Sequence, residues 1–236
     1  LFQAPKTTAI EVGNAGEQPA SFHGISATME VAVSAFNAGR LGEAEDFCRE
    51  ILGKDEKCAG AWNLMARMAA LNGDLETAGD FATVACELEP GNVEFARGVG
   101  EVFLQRKEVE QAEVQARRAL ELEPDSPEGL VLLGRVLTEK GEQGNALEVF
   151  EKALRLRKDN AEAISHYAMA LQKFGRGKEA VSQIRKACVL EPESVERQTN
   201  LATILEQEKR YVDALAAYGK AARMNPDIGY VWFRQG

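Results

Sequence analysis

An all-α solenoid of repeated helix-turn-helix units is the fold class this sequence predicts, and three observations predict it. The first is a corner, RRALELEPDSPEGLVLLG at residues 117–134, with Pro124 and Pro127 between two amphipathic stretches. Proline lacks an amide hydrogen and clashes with the preceding turn, so Pro124 ends one helix. The next starts at once, with Ser126 as N-cap, Pro127 at the first helical position and Glu128 at the positive end of the dipole. The second is recurrence: Pro90 lies 34 residues before Pro124 and Pro192 lies 68 after it. The third is a ladder of alanines at one spacing of 34, Ala44, Ala78, Ala112, Ala146, Ala180 and Ala214, with no insertion or deletion.

Counting by this period gives an organisation in order along the chain. Residues 1–24, rich in Gly, Pro, Thr and Ala and without helical period, read as an extended N-terminal arm or linker. Six complete repeats follow, at 25–58, 59–92, 93–126, 127–160, 161–194 and 195–228. Ala66, Gly100, Gly134, Ala168 and Ala202 mark the small position where the two helices of a pair touch. Residues 229–236 restart the pattern with Trp232 and Gly236 in register, as the start of a seventh repeat or a truncated capping helix. A finished array closes with a polar capping helix, so the natural chain is expected to continue. At the other end Leu1 stands in place of methionine. The chain is therefore expected to be a fragment or a processed form, with a removed leader left open.

Repeat two shows the pattern most fully, with Trp62, Met65-Ala66, Ala69, Gly73, Ala78, Ala82, Ala85 and Pro90. It resembles the tetratricopeptide repeat, a helix-turn-helix unit with small residues at fixed places and a proline at its end. The resemblance covers residues 25–228. It implies a right-handed superhelical solenoid in which the first helix of each pair lines a concave groove suited to holding another polypeptide.

Composition narrows the partner classes. The chain has 236 residues, 45% apolar and 28% charged, and a net charge of −9. That charge argues against non-specific nucleic-acid binding, which requires a basic surface. No apolar run approaches the roughly 20 residues that span a bilayer, so no transmembrane segment is expected.

Catalytic, metal and cofactor chemistry finds no foothold. Cys48, Cys58, Cys86 and Cys188 form no C-x-x-C pair, and His23 and His166 are the only histidines. Three of the cysteines fall at packing positions, which suits reduced core thiols in a cytoplasmic setting. ARGVGEVF at 96–103 offers two glycines of a phosphate loop but lacks the third and a preceding strand. No nucleophile has a histidine at a related position. The expectation is a protein that is not an enzyme and needs no cofactor.

The resemblance places positions two, five, six, nine, twelve and thirteen of each repeat toward a ligand. Position two holds Glu94, Glu128, Glu162 and Glu196, each in a first helical turn where the dipole favours an acid irrespective of any ligand. Positions five and nine give Asn63 and Arg67, then Arg97 and Glu101, then Val131 and Arg135. Two readings of Arg67, Arg97 and Arg135 stand side by side: a local basic patch able to grip carboxylates bidentately, or solvated arginines paired with neighbouring glutamates. At the N-terminal end Met29, Val33 and Phe36 form an apolar stripe.

These residues describe a scaffold that binds a protein or peptide segment, acidic toward repeats two to four and with an apolar anchor near repeat one. The carboxylate clamp by which some tetratricopeptide domains hold chaperone C-termini is matched here by Asn200 and Arg234 but not by Ser165, Met169 and Tyr230. Two other readings remain. One is the recruiting or regulatory region of a longer enzyme such as a transferase. The other is a homo-oligomeric scaffold that self-associates through the arm or the last repeat.

Overall fold

The computed structural model describes residues 21–225. Twelve α-helices account for their regular structure: α1 (Ser21–Asn37), α2 (Leu41–Lys54), α3 (Ala59–Leu71), α4 (Leu75–Leu88), α5 (Val93–Gln105), α6 (Val109–Leu122), α7 (Pro127–Lys140), α8 (Gln143–Leu156), α9 (Ala161–Lys173), α10 (Gly177–Leu190), α11 (Val195–Gln207) and α12 (Tyr211–Met224). Helix α1 begins at Ser21, so the last four residues of the expected 1–24 arm belong to its first turn. The rest of that arm, and the expected seventh-repeat start at 229–236, lie outside the described residues.

Local chemistry repeats with the same period. Asn92, Ser126, Asn160 and Ser194 precede the first helices of repeats three to six, each in extended conformation, and each side chain accepts a hydrogen bond from a first-turn amide. A side-chain acceptor here satisfies one of the donors that a helix start leaves orphaned. Between the helices of each pair, the chain turns through a left-handed residue at Gly39, Gly73, Lys107, Gly141, Gly175 and Lys209. Glycine takes this conformation without a Cβ penalty, and lysine does not.

The chain divides into two compact units within α6, between Arg118 and Ala119. In the first, Trp62 sits 2% exposed against Phe81, ring centroids 5.3 Å apart, and its indole nitrogen donates to the Glu56 carbonyl at 2.8 Å. Cys48, Ile51, Leu52 and Leu64 complete the centre of this core. In the second, Phe150 is fully buried, 6.0 Å from the Tyr167 ring, among Leu130, Ile164, Leu171 and Ile184. Burying one such side chain stabilises by about 1.5–3 kcal/mol. Gly134 makes the close approach possible, since a Cβ there would meet three Phe150 ring atoms at 2.8–2.9 Å.

All four cysteines are unpaired, Cys48 and Cys86 buried and Cys58 and Cys188 half-buried. Burial raises each thiol above its ordinary value, that of Cys48 to about 12, so none is poised as a thiolate nucleophile. Among the described residues no group of three or more His, Cys, Asp or Glu side chains could hold a metal ion. No described helix is long and apolar enough to cross a membrane.

Candidate functional site

The first helices of repeats one to three, α1, α3 and α5, line a cleft of about 440 Å³ in the first unit. Phe36 enters it from α1, Asn63 and Arg67 from α3, and Arg97 and Glu101 from α5. Residues four apart on one helix share a face, which is why positions five and nine of each repeat appear together. Small residues deepen the floor: Ala66 and Ala70 from α3, Ala82 from α4 and Gly98 from α5.

Within the cleft the two arginines are held differently. The Arg67 guanidinium lies 4.4 Å from the centroid of the Phe36 ring. That contact holds the cation over the ring face by a cation–π attraction. Arg97 is 3.7 Å from the Glu94 carboxylate at the other side of the cleft, a long, partly exposed pair. Such a pair contributes little and yields readily to a better-placed carboxylate. Leu71, 65% exposed, adds an apolar edge to the same cleft.

Most of the sequence-predicted residues are distributed around this cleft and its neighbour. Phe36, Asn63, Arg67, Arg97 and Glu101 line the cleft itself. Met29 and Val33 line a second, more apolar depression beside Cys58 and Gly60, so the α1 stripe is shared between two sites. Val131 and Arg135 belong to the second unit. Val131 is only 3% exposed and packs in the cluster of Ile164 and Ala168, which leaves it no surface to offer a partner. Arg135 is half-buried and acts electrostatically on His166.

A lone histidine at a groove position carries no motif, so sequence reasoning does not single out His166. Burial first, then the positive charges of Arg135 and Arg197, hold its imidazole down to about 3. The Glu162 carboxylate lies 4.0 Å from its Nε2. Close by, Asn200 donates from Nδ2 to the Ser165 hydroxyl at 3.0 Å, so the asparagine that matched the clamp pattern is engaged within the protein. Two of the first-turn glutamates are likewise engaged: Glu128 pairs with Arg157, and Glu196 lies 2.8 Å from Arg197.

The comparisons with known proteins agree on the fold. The tetratricopeptide repeat family model matches residues 32–93, 100–163 and 162–228. No curated protein sequence matches the chain. Among solved structures, the chain is similar to the APC/C hetero-tetramer Cut9-Hcn1, with a TM-score of 0.75 and 19% identity over 86% of this chain. The match spans 40% of that longer chain. It is also similar to Pseudomonas aeruginosa PilF, with a TM-score of 0.66 and 19% identity over 91% of this chain and 98% of that one. A third is TTC0263, a thermophilic protein of Thermus thermophilus, with a TM-score of 0.65 and 21% identity over 81% and 99% of the two chains. The fold class they share with this chain is the all-α tetratricopeptide solenoid.

Proposed function

Because the chain belongs to the tetratricopeptide repeat family, whose repeats serve as protein-interaction scaffolds, we propose that it is a non-catalytic scaffold working through the cleft of its first unit. The ligand of this cleft is a segment of another protein that carries carboxylates beside an apolar side chain. The observation that supports this reading most is the state of Arg67. Its guanidinium is stacked on Phe36 and has no carboxylate within ion-pair distance among the described residues. A cation already oriented and largely unspent loses little freedom on gripping a carboxylate. Arg97 supplies a second donor set from α5, Asn63 a neutral donor and acceptor, and Phe36 with Leu71 the apolar contact.

Capture from lysate of the source cells tests the proposal, with the native chain compared against an Arg67→Glu/Arg97→Glu variant. Both positions are off the core, so circular dichroism of the variant is expected to match the native. Loss of the captured proteins with the two arginines is the expected result. An unchanged set of partners would remove the cleft from the account.

A further inference from the structure

The second helix of repeat five, α10, carries a basic and apolar surface that its counterparts in the preceding repeats do not. It borders a cleft of about 730 Å³ in the second unit, lined by Lys158, Lys178, Arg185 and Lys186 with Asp159 as the one carboxylate. Val189, 79% exposed, and Leu190 form an apolar ledge at one end. Lys178, Ser182, Arg185 and Val189 are spaced by four, three and four residues and so form a single stripe along α10. In a chain of net charge −9, this is a local reversal of sign.

The internal repeat shows how unusual the stripe is. Counting back by 34, Lys178 corresponds to Gly144, Glu110 and Glu76, and Val189 to Arg155, Glu121 and Glu87. Arg185 corresponds to Glu151 in repeat four and to Arg117 in repeat three, where the arginine is paired with Glu113. Lys158 stands where Pro124, Pro90 and Pro192 end the flanking repeats. That replacement coincides with a change in the bonding of Lys186. Its counterparts are tied down: Arg118 donates to the Pro90 carbonyl at 3.1 Å, and Lys152 to that of Pro124 at 3.0 Å. Lys186 instead donates to the Gln183 side chain at 3.1 Å. Among the described residues none of Lys158, Lys178, Arg185 and Lys186 lies within ion-pair distance of a carboxylate, and Glu179 beside them is taken by Arg176. Lys158 at the end of repeat four and Lys178 and Val189 on α10 thus stand where the preceding repeats hold mainly acids, proline or glycine, and Lys186 lacks the carbonyl contact that its counterparts make.

We propose that this α10 cleft is a second docking site, separate from the first-unit cleft, that takes an acidic segment of a partner protein with an aliphatic side chain seated on Val189 and Leu190. Charge complementarity selects the occupant. Four unpaired cations repel one another until carboxylates reach them, and a segment with acids flanking an aliphatic residue matches both the charge and the ledge. The cations line a concavity, which a flat anionic bilayer would not fill.

Fluorescence anisotropy with a short fluorescein-labelled peptide, glutamates flanking two leucines, tests the site. The protein carries Arg67→Glu and Arg97→Glu throughout, so the first-unit cleft gives no signal and its failure is not confused with this one. The peptide is expected to bind, with affinity falling as salt is added. Lys178→Glu/Arg185→Glu/Lys186→Glu is expected to weaken it by roughly tenfold or more. Val189→Ser in the protein, or glycines in place of the leucines in the peptide, is expected to weaken it by roughly threefold. A triple glutamine variant repeats the measurement should the triple glutamate variant fail the circular dichroism comparison. No binding, binding indifferent to these substitutions, or the same substitutions instead abolishing capture of phosphatidylserine vesicles or an oligonucleotide would each overturn the proposal.

Discussion

Gly134→Ala should destabilise the protein although alanine is the better helix former. Within a helix, exchanging glycine for alanine gains about 1 kcal/mol. At Gly134 the added carbon would lie 2.8–2.9 Å from three atoms of the Phe150 ring. Phe150 has no exposed surface and packs against the tilted Tyr167 ring at 6.0 Å, so the ring has nowhere to retreat. Overpacking of this kind costs about 1–3 kcal/mol, and contact with ring atoms on so rigid a partner belongs at the upper end. The net expectation is a loss of about 1–2 kcal/mol. Gly98→Ala is the internal control: its Cβ would meet only the Asn63 Oδ1, at 3.5 Å, and the propensity gain should survive. Urea titration and thermal melts of both variants would read the contrast, with melting temperature moving by roughly 2–4 °C per kcal/mol for a chain of this size. Adding Phe150→Leu to Gly134→Ala should cost less than the sum of the two single changes, because the sites touch. A Gly134→Ala protein as stabilised as Gly98→Ala would refute the claim that this glycine exists to admit Phe150.

Two further predictions rest on backbone and charge. Lys107 and Lys209 occupy the left-handed turn, with φ of 65° and 61°, that glycine fills in the other repeats; Lys107→Gly and Lys209→Gly should each stabilise by about 0.5–1 kcal/mol in urea titration, whereas Gly141→Lys should destabilise. His166 is held neutral to about pH 3 when folded, while its unfolded form takes a proton below about pH 6.5. Stability it confers is therefore present above pH 6.5 and is lost progressively as pH falls toward 3, by about 1 kcal/mol at pH 5.5. His166→Gln should flatten the decline between pH 7 and 5, and identical slopes for the two proteins would dismiss the histidine as its source.

The helix pairs were readable because their signals are local and repeated. Prolines, N-caps and small contact residues each act within one turn, and the fixed period turned weak cues into a strong one. The Phe36–Arg67 stack was not readable, since it joins different repeats and depends on how two first helices lie together. Position five shows the same limit from the other side. Asn63 and Arg97 are polar and reach the cleft, whereas Val131 is aliphatic and folds into the core beside Ile164. A periodic position specifies a direction, and the side chain decides whether it ends in solvent or in packing. The α10 stripe was legible in principle, as a break in the charge pattern at Lys178, Arg185 and Val189, but it lies on the second helices, where the resemblance did not direct attention.

A photo-crosslinker placed at Leu71 tests the central claim most directly, because this residue is exposed and borders the Arg67–Arg97 cleft without contributing charge. After irradiation in lysate, peptide mapping of the adducts should return partner segments in which aspartate or glutamate flanks an apolar residue, and Arg67→Glu/Arg97→Glu should abolish them. Adducts with no such composition, or adducts that persist when both arginines are reversed, would contradict the account.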